Sequence, residues 1–243
     1  MQKIQEQRER KEQDQKQDQR RDQRRDQRRD QRQDQGRCDD QNRTAEVPSY
    51  MSQETEEVLR EIRGLQSQHP RVFVAIDGRC GAGKTTLAQE IQKRTGCALF
   101  HMDDFYLRME QRTKERYEEP GGNVDRERFL EEVLNPLKTM QDGEILSYRP
   151  FLCGKWVLGD PISETVGSLI VVEGSYSCHP ELFNQYDLHV FVDIDPETQQ
   201  ERILKRNGAE KLEMFQSRWI PLEERYFSSF GIQEKCEIQL NCR

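Results

Sequence analysis

The sequence predicts an α/β fold built on a parallel sheet, and three short apolar runs indicate it. Val72–Ile76 is typical of a buried strand and runs directly into a glycine-rich loop and a helix. Two further apolar runs, Ser168–Glu173 and Leu188–Asp193, each end in an acidic residue, and a helix follows the second. Because the C-terminal ends of parallel strands face the ligand crevice, we expect the functional residues at that edge.

The loop after the first strand carries the most specific motif of the chain. Residues 78–85 read G-R-C-G-A-G-K-T, a complete G-x-x-x-x-G-K-[ST] pattern between a predicted strand and a predicted helix. Its glycines let backbone N–H groups surround a polyphosphate at a helix N-terminus. Lys84 is placed to reach the β- and γ-phosphates, and the Thr85 hydroxyl to bind Mg²⁺. The predicted nucleotide-binding residues are Gly78, Gly81, Ala82, Gly83, Lys84, Thr85 and Thr86.

Composition divides the chain into three parts. Residues 1–42 form a low-complexity Gln/Arg/Asp tail with an Arg-Arg-Asp-Gln repeat, which cannot bury a core and is expected to be a solvated helix or coil. Residues 43–70 are predicted to be a linker and an N-terminal helix capped at Ser52, and residues 71–243 one domain. The tail is either dispensable or an adaptor for RNA or anionic surfaces, and its interleaved acids favour the first.

Charge and composition exclude several function classes. The formal net charge is -7, and the tail holds about 13 basic and 11 acidic side chains. The remainder is therefore about −9, which argues against a nucleic-acid-binding surface. No apolar run approaches the roughly 18 residues that span a membrane. The seven cysteines show no C-x-x-C spacing, which favours reduced thiols in a cytoplasmic protein without a zinc site.

Acidic residues follow two of the predicted strands. Asp103 and Asp104 come directly after the short strand Cys97–Met102, with Tyr106 close behind. Carboxylates beside a phosphate loop can position or deprotonate an attacking hydroxyl or help to hold Mg²⁺, and the alternative is an acidic turn that caps a helix. Glu173 ends a Walker-B-type strand, whose carboxylate supports Mg²⁺.

Further candidates lie on the acceptor side of the predicted crevice. Residues 107–122 are predicted to be a mobile surface loop. Asp125 begins a helix that ends near Met140 and is either an ordinary N-cap or also a substrate ligand. Tyr148, in a predicted strand or hairpin, either stacks on a flat ring or fills a small core.

Two arginines form the predicted lid. Arg202 and Arg206 lie one turn apart on a helix predicted over Pro196–Asn207. Arginines on a mobile segment near a phosphate loop can close over the γ-phosphate, and the alternative is a solvated basic helix face.

Together these motifs resemble the uridine kinase family of P-loop kinases, which is related to phosphoribulokinase and bacterial pantothenate kinase. The resemblance begins near Val72, runs to the C-terminus and rests on five segments: residues 76–86, 102–106, 123–125, 171–175 and 190–193. It implies a P-loop NTPase three-layer sandwich, with a five-stranded parallel sheet between helices and a closing lid. It also implies ATP or GTP as donor, Mg²⁺ as cofactor and the 5′-hydroxyl of uridine or cytidine as acceptor.

The same resemblance implies roles for single residues. Asp103 would be the base or hydroxyl-positioning residue, Asp125 would bind the ribose hydroxyls, and Tyr148 would line the base pocket. The resulting prediction assigns catalysis to Asp103, Lys84, Arg202 and Arg206, substrate binding to Asp125, Tyr148 and Tyr106, and the metal to Thr85, Glu173 and Asp103.

Two departures from the family pattern keep the acceptor open. Cys153-Gly-Lys stands where the family has a base-reading histidine, and the lid has fewer arginines. A sugar acid, a pantothenate-like alcohol or another small hydroxyl compound is therefore an alternative acceptor. The competing class is a regulatory NTP-binding module, which would hydrolyse NTP slowly without an acceptor, whereas a kinase needs an added alcohol. The expected partners are a nucleotide and a small molecule, and the oligomeric state is not predicted.

Overall fold

A computed structural model describes residues 49–242, and the predicted tail of residues 1–42 lies outside them. The main sheet has five parallel strands, which are β1 (Val72–Gly78), β2 (Ala98–His101), β7 (Leu169–Glu173), β8 (Leu188–Asp193) and β9 (Ile238–Asn241). They lie side by side in the order β2-β7-β1-β8-β9. The expected five-stranded parallel sheet is confirmed. Its register places His101 and Ile76 on either side of Glu173.

Helices α1 (Ser49–Gln66) and α2 (Lys84–Thr95) cover one face of the sheet. Alternate residues of β1 point to this side because side chains of a strand alternate between its faces. The core here combines Val58, Leu59 and Ile62 of α1 with Leu87, Ala88 and Ile91 of α2 and with Val72, Val74 and Ile76 of β1. Helix α1 begins at Ser49, so Ser52 lies inside the helix and not at its start.

Two further helical regions follow in the chain, and one of them packs on the opposite face of the sheet. Helix α4 (Arg126–Phe129) continues through a π turn, Leu130–Leu134, into α5 (Asn135–Leu137). Helix α9 (Ile220–Phe230) sets the ring of Phe227 edge-on against Phe191 of β8, with centroids 5.0 Å apart. Helices on both faces of a parallel sheet make the three-layer sandwich that was predicted.

The remaining strands form two small antiparallel pairs. Strand β3 (Ile145–Tyr148) pairs with β6 (Ile162–Thr165), and β4 (Phe151–Leu152) pairs with β5 (Val157–Leu158). The sequence predicted a strand or hairpin between residues 145 and 156 but not β6. Every second residue of β6 is exposed, so the segment lacks an apolar run that would mark it as a strand.

The C-terminal helices are α6 (Pro180–Phe183), α7 (Pro196–Asn207), α8 (Ala209–Met214), α9 and α10 (Ile232–Lys235). Helix α7 has the predicted bounds. A π turn over Phe215–Trp219 joins α8 to α9, and Pro221 lies directly after it in the first turn of α9.

The segment 107–122 is more ordered than the expected bare loop. It contains a 3₁₀ turn, Met109–Gln111, and helix α3 (Lys114–Glu118). The guanidinium of Arg116 donates to the carbonyls of Gly122 and Val124 at 2.8 and 2.9 Å. These bonds hold the loop against its own following residues, so a polar sequence here does not mean an unsupported backbone.

Replacing Gly78 with alanine is expected to lower the free energy of unfolding by at least about 3 kcal/mol. Gly78 has a φ of 136°, and a Cβ there would lie 2.1 Å from the carbonyl oxygen of Val192. Gly64→Ala in α1 is the matched control, because nothing lies within 4 Å of its Cβ. Urea denaturation at 25 °C compares the two, and an equal effect of both would contradict the steric argument.

Candidate active site

The phosphate loop joins β1 to the N-terminus of α2. Gly78, Gly81 and Gly83 adopt φ values of 136°, 79° and 97°, which side-chain-bearing residues rarely reach. Gly83 caps α2 in the left-handed conformation, and Lys84 is the first residue of the helix. The loop is therefore built on the helix terminus that attracts anions.

The Lys84 ammonium is folded back over the loop and is buried. Its Nζ donates to the carbonyls of Gly78 at 2.7 Å and Arg79 at 3.0 Å, and to the Ser175 hydroxyl at 3.2 Å. All three of its protons thus have acceptors. When a polyphosphate occupies the loop, its charged oxygens would replace some of these neutral acceptors of the Lys84 ammonium.

Thr85, Glu173 and His101 form a chain of contacts at the end of the central strands. The Thr85 hydroxyl donates to Glu173 Oε1 at 3.1 Å, and the same Oε1 lies 2.6 Å from His101 Nδ1. A hydroxyl and a carboxylate are oxygen ligands of the kind that Mg²⁺ prefers, so these residues fit the predicted metal. His101 was not among the predicted site residues, because its contact depends on β2 lying beside β7.

His101 is expected to make stability fall as the pH rises from 6.5 to 9 in nucleotide-free protein. Burial alone would lower the pKa of His101, but the hydrogen bond and charge of Glu173, with Asp104 and Asp103 nearby, raise it to about 9. The folded state then binds more protons than the unfolded state between pH 6.5 and 9. The contribution of His101 to the free energy of unfolding is therefore complete below pH 6.5 and lost above pH 9. The loss is at most about 3 kcal/mol, and less because 29% of the side chain is exposed.

Urea denaturation at pH 6.5, 7.5 and 9 would measure this dependence. The decline is expected to flatten in His101→Asn, which keeps a polar side chain but does not titrate. An equally steep decline in both proteins would contradict the prediction.

Asp103 and Asp104 lie on a 3₁₀ turn, Met102–Phe105, directly after β2. The Tyr106 hydroxyl donates to Asp103 Oδ1 at 2.7 Å, and the Tyr148 hydroxyl donates to Asp104 Oδ2 at 2.8 Å. Burial raises the pKa of Asp104. The two neighbouring carboxylates are thus each held by a different phenol. Both lie two or three residues beyond His101, which itself contacts Glu173.

Asp125 is a helix cap and a buried carboxylate at the same time. Its Oδ1 accepts from the Arg128 backbone N–H at 3.2 Å, and its Oδ2 lies 3.5 Å from Arg108 Nε. Tyr148 stacks on Phe105 with ring centroids 5.2 Å apart and is itself buried. In the described structure Tyr148 therefore fills a small aromatic core beside Asp104.

The two lid candidates differ in their surroundings. Arg202 Nη1 donates to the carbonyl of Gly81 in the phosphate loop at 3.3 Å. Arg206 is exposed and its Nε donates to its neighbour Asn207 at 2.8 Å. The structure brings Arg202 to the loop and leaves Arg206 at the surface.

A family model described as "AAA domain" matches residues 74–220, which is more than half of the chain. The chain belongs to this AAA-domain family of P-loop proteins. The matched range begins in β1 and contains the whole phosphate loop, Asp103, Glu173 and Arg202.

The expected likeness of this P-loop protein to uridine kinases is also confirmed. Uridine-cytidine kinase B of Dictyostelium discoideum is 31% identical over 155 residues, covering 60% of this chain and 61% of that protein. A uridine kinase of Halobacterium salinarum is 28% identical over 148 residues, covering 58% and 65% respectively. The chain thus matches less than two thirds of the length of either relative.

A solved structure shares the fold. A possible uridine kinase from Bacillus stearothermophilus aligns with 79% of this chain and 99% of its own, with a TM-score of 0.58 and 18% identity.

Among the helices between residues 49 and 242, none combines the length and apolar character needed to cross a membrane. None of the six cysteines in that range forms a disulfide.

The P-loop protein also has a buried carboxylate that the sequence did not single out. Asp77, at the end of β1, accepts from the backbone N–H groups of Gly78, Tyr176 and Cys178 at 2.6, 3.1 and 2.9 Å. The Tyr226 hydroxyl of α9 adds a fourth bond at 2.8 Å. Burial raises the pKa of Asp77 to about 6 although these bonds and Lys84 oppose the shift. The sequence feature that could have identified Asp77 is an acidic residue at the end of an apolar strand.

Proposed function

We propose that this protein is a Mg²⁺-dependent kinase that transfers the γ-phosphoryl group of ATP or GTP to a small alcohol. The observation that carries the proposal is the contact chain from Thr85 through Glu173 to His101, two residues before Asp103. These contacts support a kinase, because the phosphate loop, the Thr85 and Glu173 oxygens and the turn that carries Asp103 lie near one edge of the sheet. A phosphoryl donor and a hydroxyl acceptor need such groups side by side.

Each site residue has a separate role in the proposed phosphoryl transfer. Lys84 turns from the loop carbonyls to the β- and γ-phosphates and neutralises their charge. Asp103 accepts or orients the proton of the attacking hydroxyl, and the bond from Tyr106 fixes the direction of its carboxylate. Thr85 and Glu173, with Asp103 nearby, would hold Mg²⁺, which when bound offsets phosphate charge. Arg202 adds a positive charge from the lid side of the loop.

The 5′-hydroxyl of uridine or cytidine is the first candidate acceptor. The names of both curated relatives support it, since one is a uridine-cytidine kinase and the other a uridine kinase. Asp125 would bind the ribose hydroxyls and Tyr148 would border the base. Because Cys153-Gly-Lys replaces the family's base-reading histidine, sugar acids and pantothenate-like alcohols belong in the same test.

The test is ADP production from MgATP by the full chain, with and without a panel of alcohols that includes uridine and cytidine. Strong stimulation by a nucleoside, with a 5′-monophosphate found by mass spectrometry, would support the full proposal. Stimulation by another alcohol alone would replace the acceptor. Tight ATP binding without stimulation by any alcohol would contradict the kinase and favour a regulatory module.

A further inference from the structure

Glu223 is a buried carboxylate next to the phosphate loop that the proposed reaction does not use. It lies in the first turn of α9 and is 4% exposed. Its Oε2 accepts from the backbone N–H of Cys80 at 3.0 Å, and its Oε1 accepts from the Ser175 hydroxyl at 2.7 Å. Burying a charge is costly unless it is well bonded, so these two donors are the reason that the carboxylate is tolerated here.

Ser175 connects Glu223 to Lys84. The serine hydroxyl has one proton to donate and two lone pairs that accept. Because the proton goes to Glu223, the lone pairs are left for the Lys84 ammonium, which lies 3.2 Å away. The Gly78 carbonyl, 3.3 Å from the hydroxyl, is the alternative acceptor for that proton. Without Glu223 the hydroxyl would compete with Lys84 for this carbonyl.

The bond to Cys80 fixes the loop from its outer side. The Cys80 side chain packs with Ile203 of α7 and Phe215 of the π turn, and its carbonyl accepts from Gln199 at 2.9 Å. Glu223 thus holds the one backbone N–H of Cys80 while α7 holds the carbonyl. The conformation of the loop is set before a nucleotide arrives, which reduces the cost of ordering it on binding.

We propose that Glu223 is a positioning residue that pre-organises the phosphate site through Ser175 and Lys84. It touches no substrate and acts by directing the Ser175 proton and by holding the Cys80 N–H. The inference rests on the proposed function only in that a nucleotide occupies the loop. It holds for any phosphoryl acceptor.

The test measures the Kd of Mg²⁺-adenylyl-imidodiphosphate for the full chain by isothermal titration calorimetry, without any acceptor. Glu223→Gln and Ser175→Ala are each expected to weaken binding about tenfold, or about 1.4 kcal/mol. The double variant is expected to bind about as weakly as either single variant, because glutamine still offers one oxygen to the Cys80 N–H and both changes break the same bond between residues 175 and 223. Glu213→Gln on α8 removes the same charge from an exposed position and is expected to leave Kd unchanged.

Two results would overturn the proposal. One is an unchanged Kd in both single variants with only a lower Tm, which would make Glu223 a purely structural residue. The other is fully additive weakening in the double variant, which would break the link through Ser175. If Glu223→Gln does not fold, an unchanged Kd in Ser175→Ala still overturns the link through Ser175, because that variant keeps the Cys80 bond. Failure of every alcohol to stimulate turnover would leave this result intact, so the two proposals fail separately.

Discussion

Asp103→Asn is expected to lower phosphoryl transfer by about 10²- to 10⁴-fold and to leave nucleotide affinity nearly unchanged. Asparagine keeps the shape and an oxygen that can accept from Tyr106, but it cannot take a proton from the attacking hydroxyl. Since Asp103 lies outside the phosphate loop, and Thr85 and Glu173 remain to hold Mg²⁺, the nucleotide keeps its main contacts. Initial rates with the best acceptor, compared with the Kd of Mg²⁺-adenylyl-imidodiphosphate, separate the two effects.

The exposed Asp160 offers a control with the same chemical change. Asp160→Asn is expected to keep both the rate and the affinity. Transfer at the normal rate in Asp103→Asn would mean that another group, such as the neighbouring Asp104, activates the acceptor.

Lys84→Ala is expected to abolish measurable turnover, with a loss of at least about 10³-fold. The change removes the charge that neutralises the β- and γ-phosphates. It also leaves the carbonyls of Gly78 and Arg79 without the donor that satisfies them now. Turnover and nucleotide Kd are expected to fall together, in contrast to Asp103→Asn, because this ammonium serves both binding and transfer.

Lys93→Ala is the control on the same helix, because Lys93 is exposed near the end of α2. It removes an equal charge without touching the loop and is expected to keep normal turnover. A thermal melt of both variants checks that the loss in Lys84→Ala does not come from unfolding. Substantial turnover in a folded Lys84→Ala protein would contradict the assigned role.

The parts of the site that are contiguous in sequence could be predicted, and those that depend on packing could not. Lys84 and Thr85 sit inside a motif whose backbone geometry is local, and the strand before it is an unbroken apolar run. The bounds of α7 follow from a proline near its start and a glycine after its end. Asp103 and Glu173 became candidates because acids at the ends of parallel strands meet at one edge.

His101 and Glu223 were missed for a common reason. Each contacts the site through a residue that is distant along the chain. His101 lies 72 residues from its partner Glu173, and Glu223 lies 143 residues from its partner Cys80. Nothing in the local pattern of residues marks them. The sheet order and the path of helix α9 decide these contacts, and neither can be obtained from periodicity alone.

Helix α9 has a consequence for the order in which the protein becomes active during synthesis. Helix α9 supports the loop through three contacts, which are Glu223 with Cys80, Glu224 with Arg79, and Tyr226 with Asp77. The glycine-rich motif leaves the ribosome long before these residues of α9 are made. At about 5–20 residues per second, the intervening 143 residues take on the order of ten seconds. During that time the nascent chain carries the complete motif without its support. Ribosome-bound chains that stop before Ile220 should therefore not be retained on immobilised nucleotide, although they display every residue of the loop.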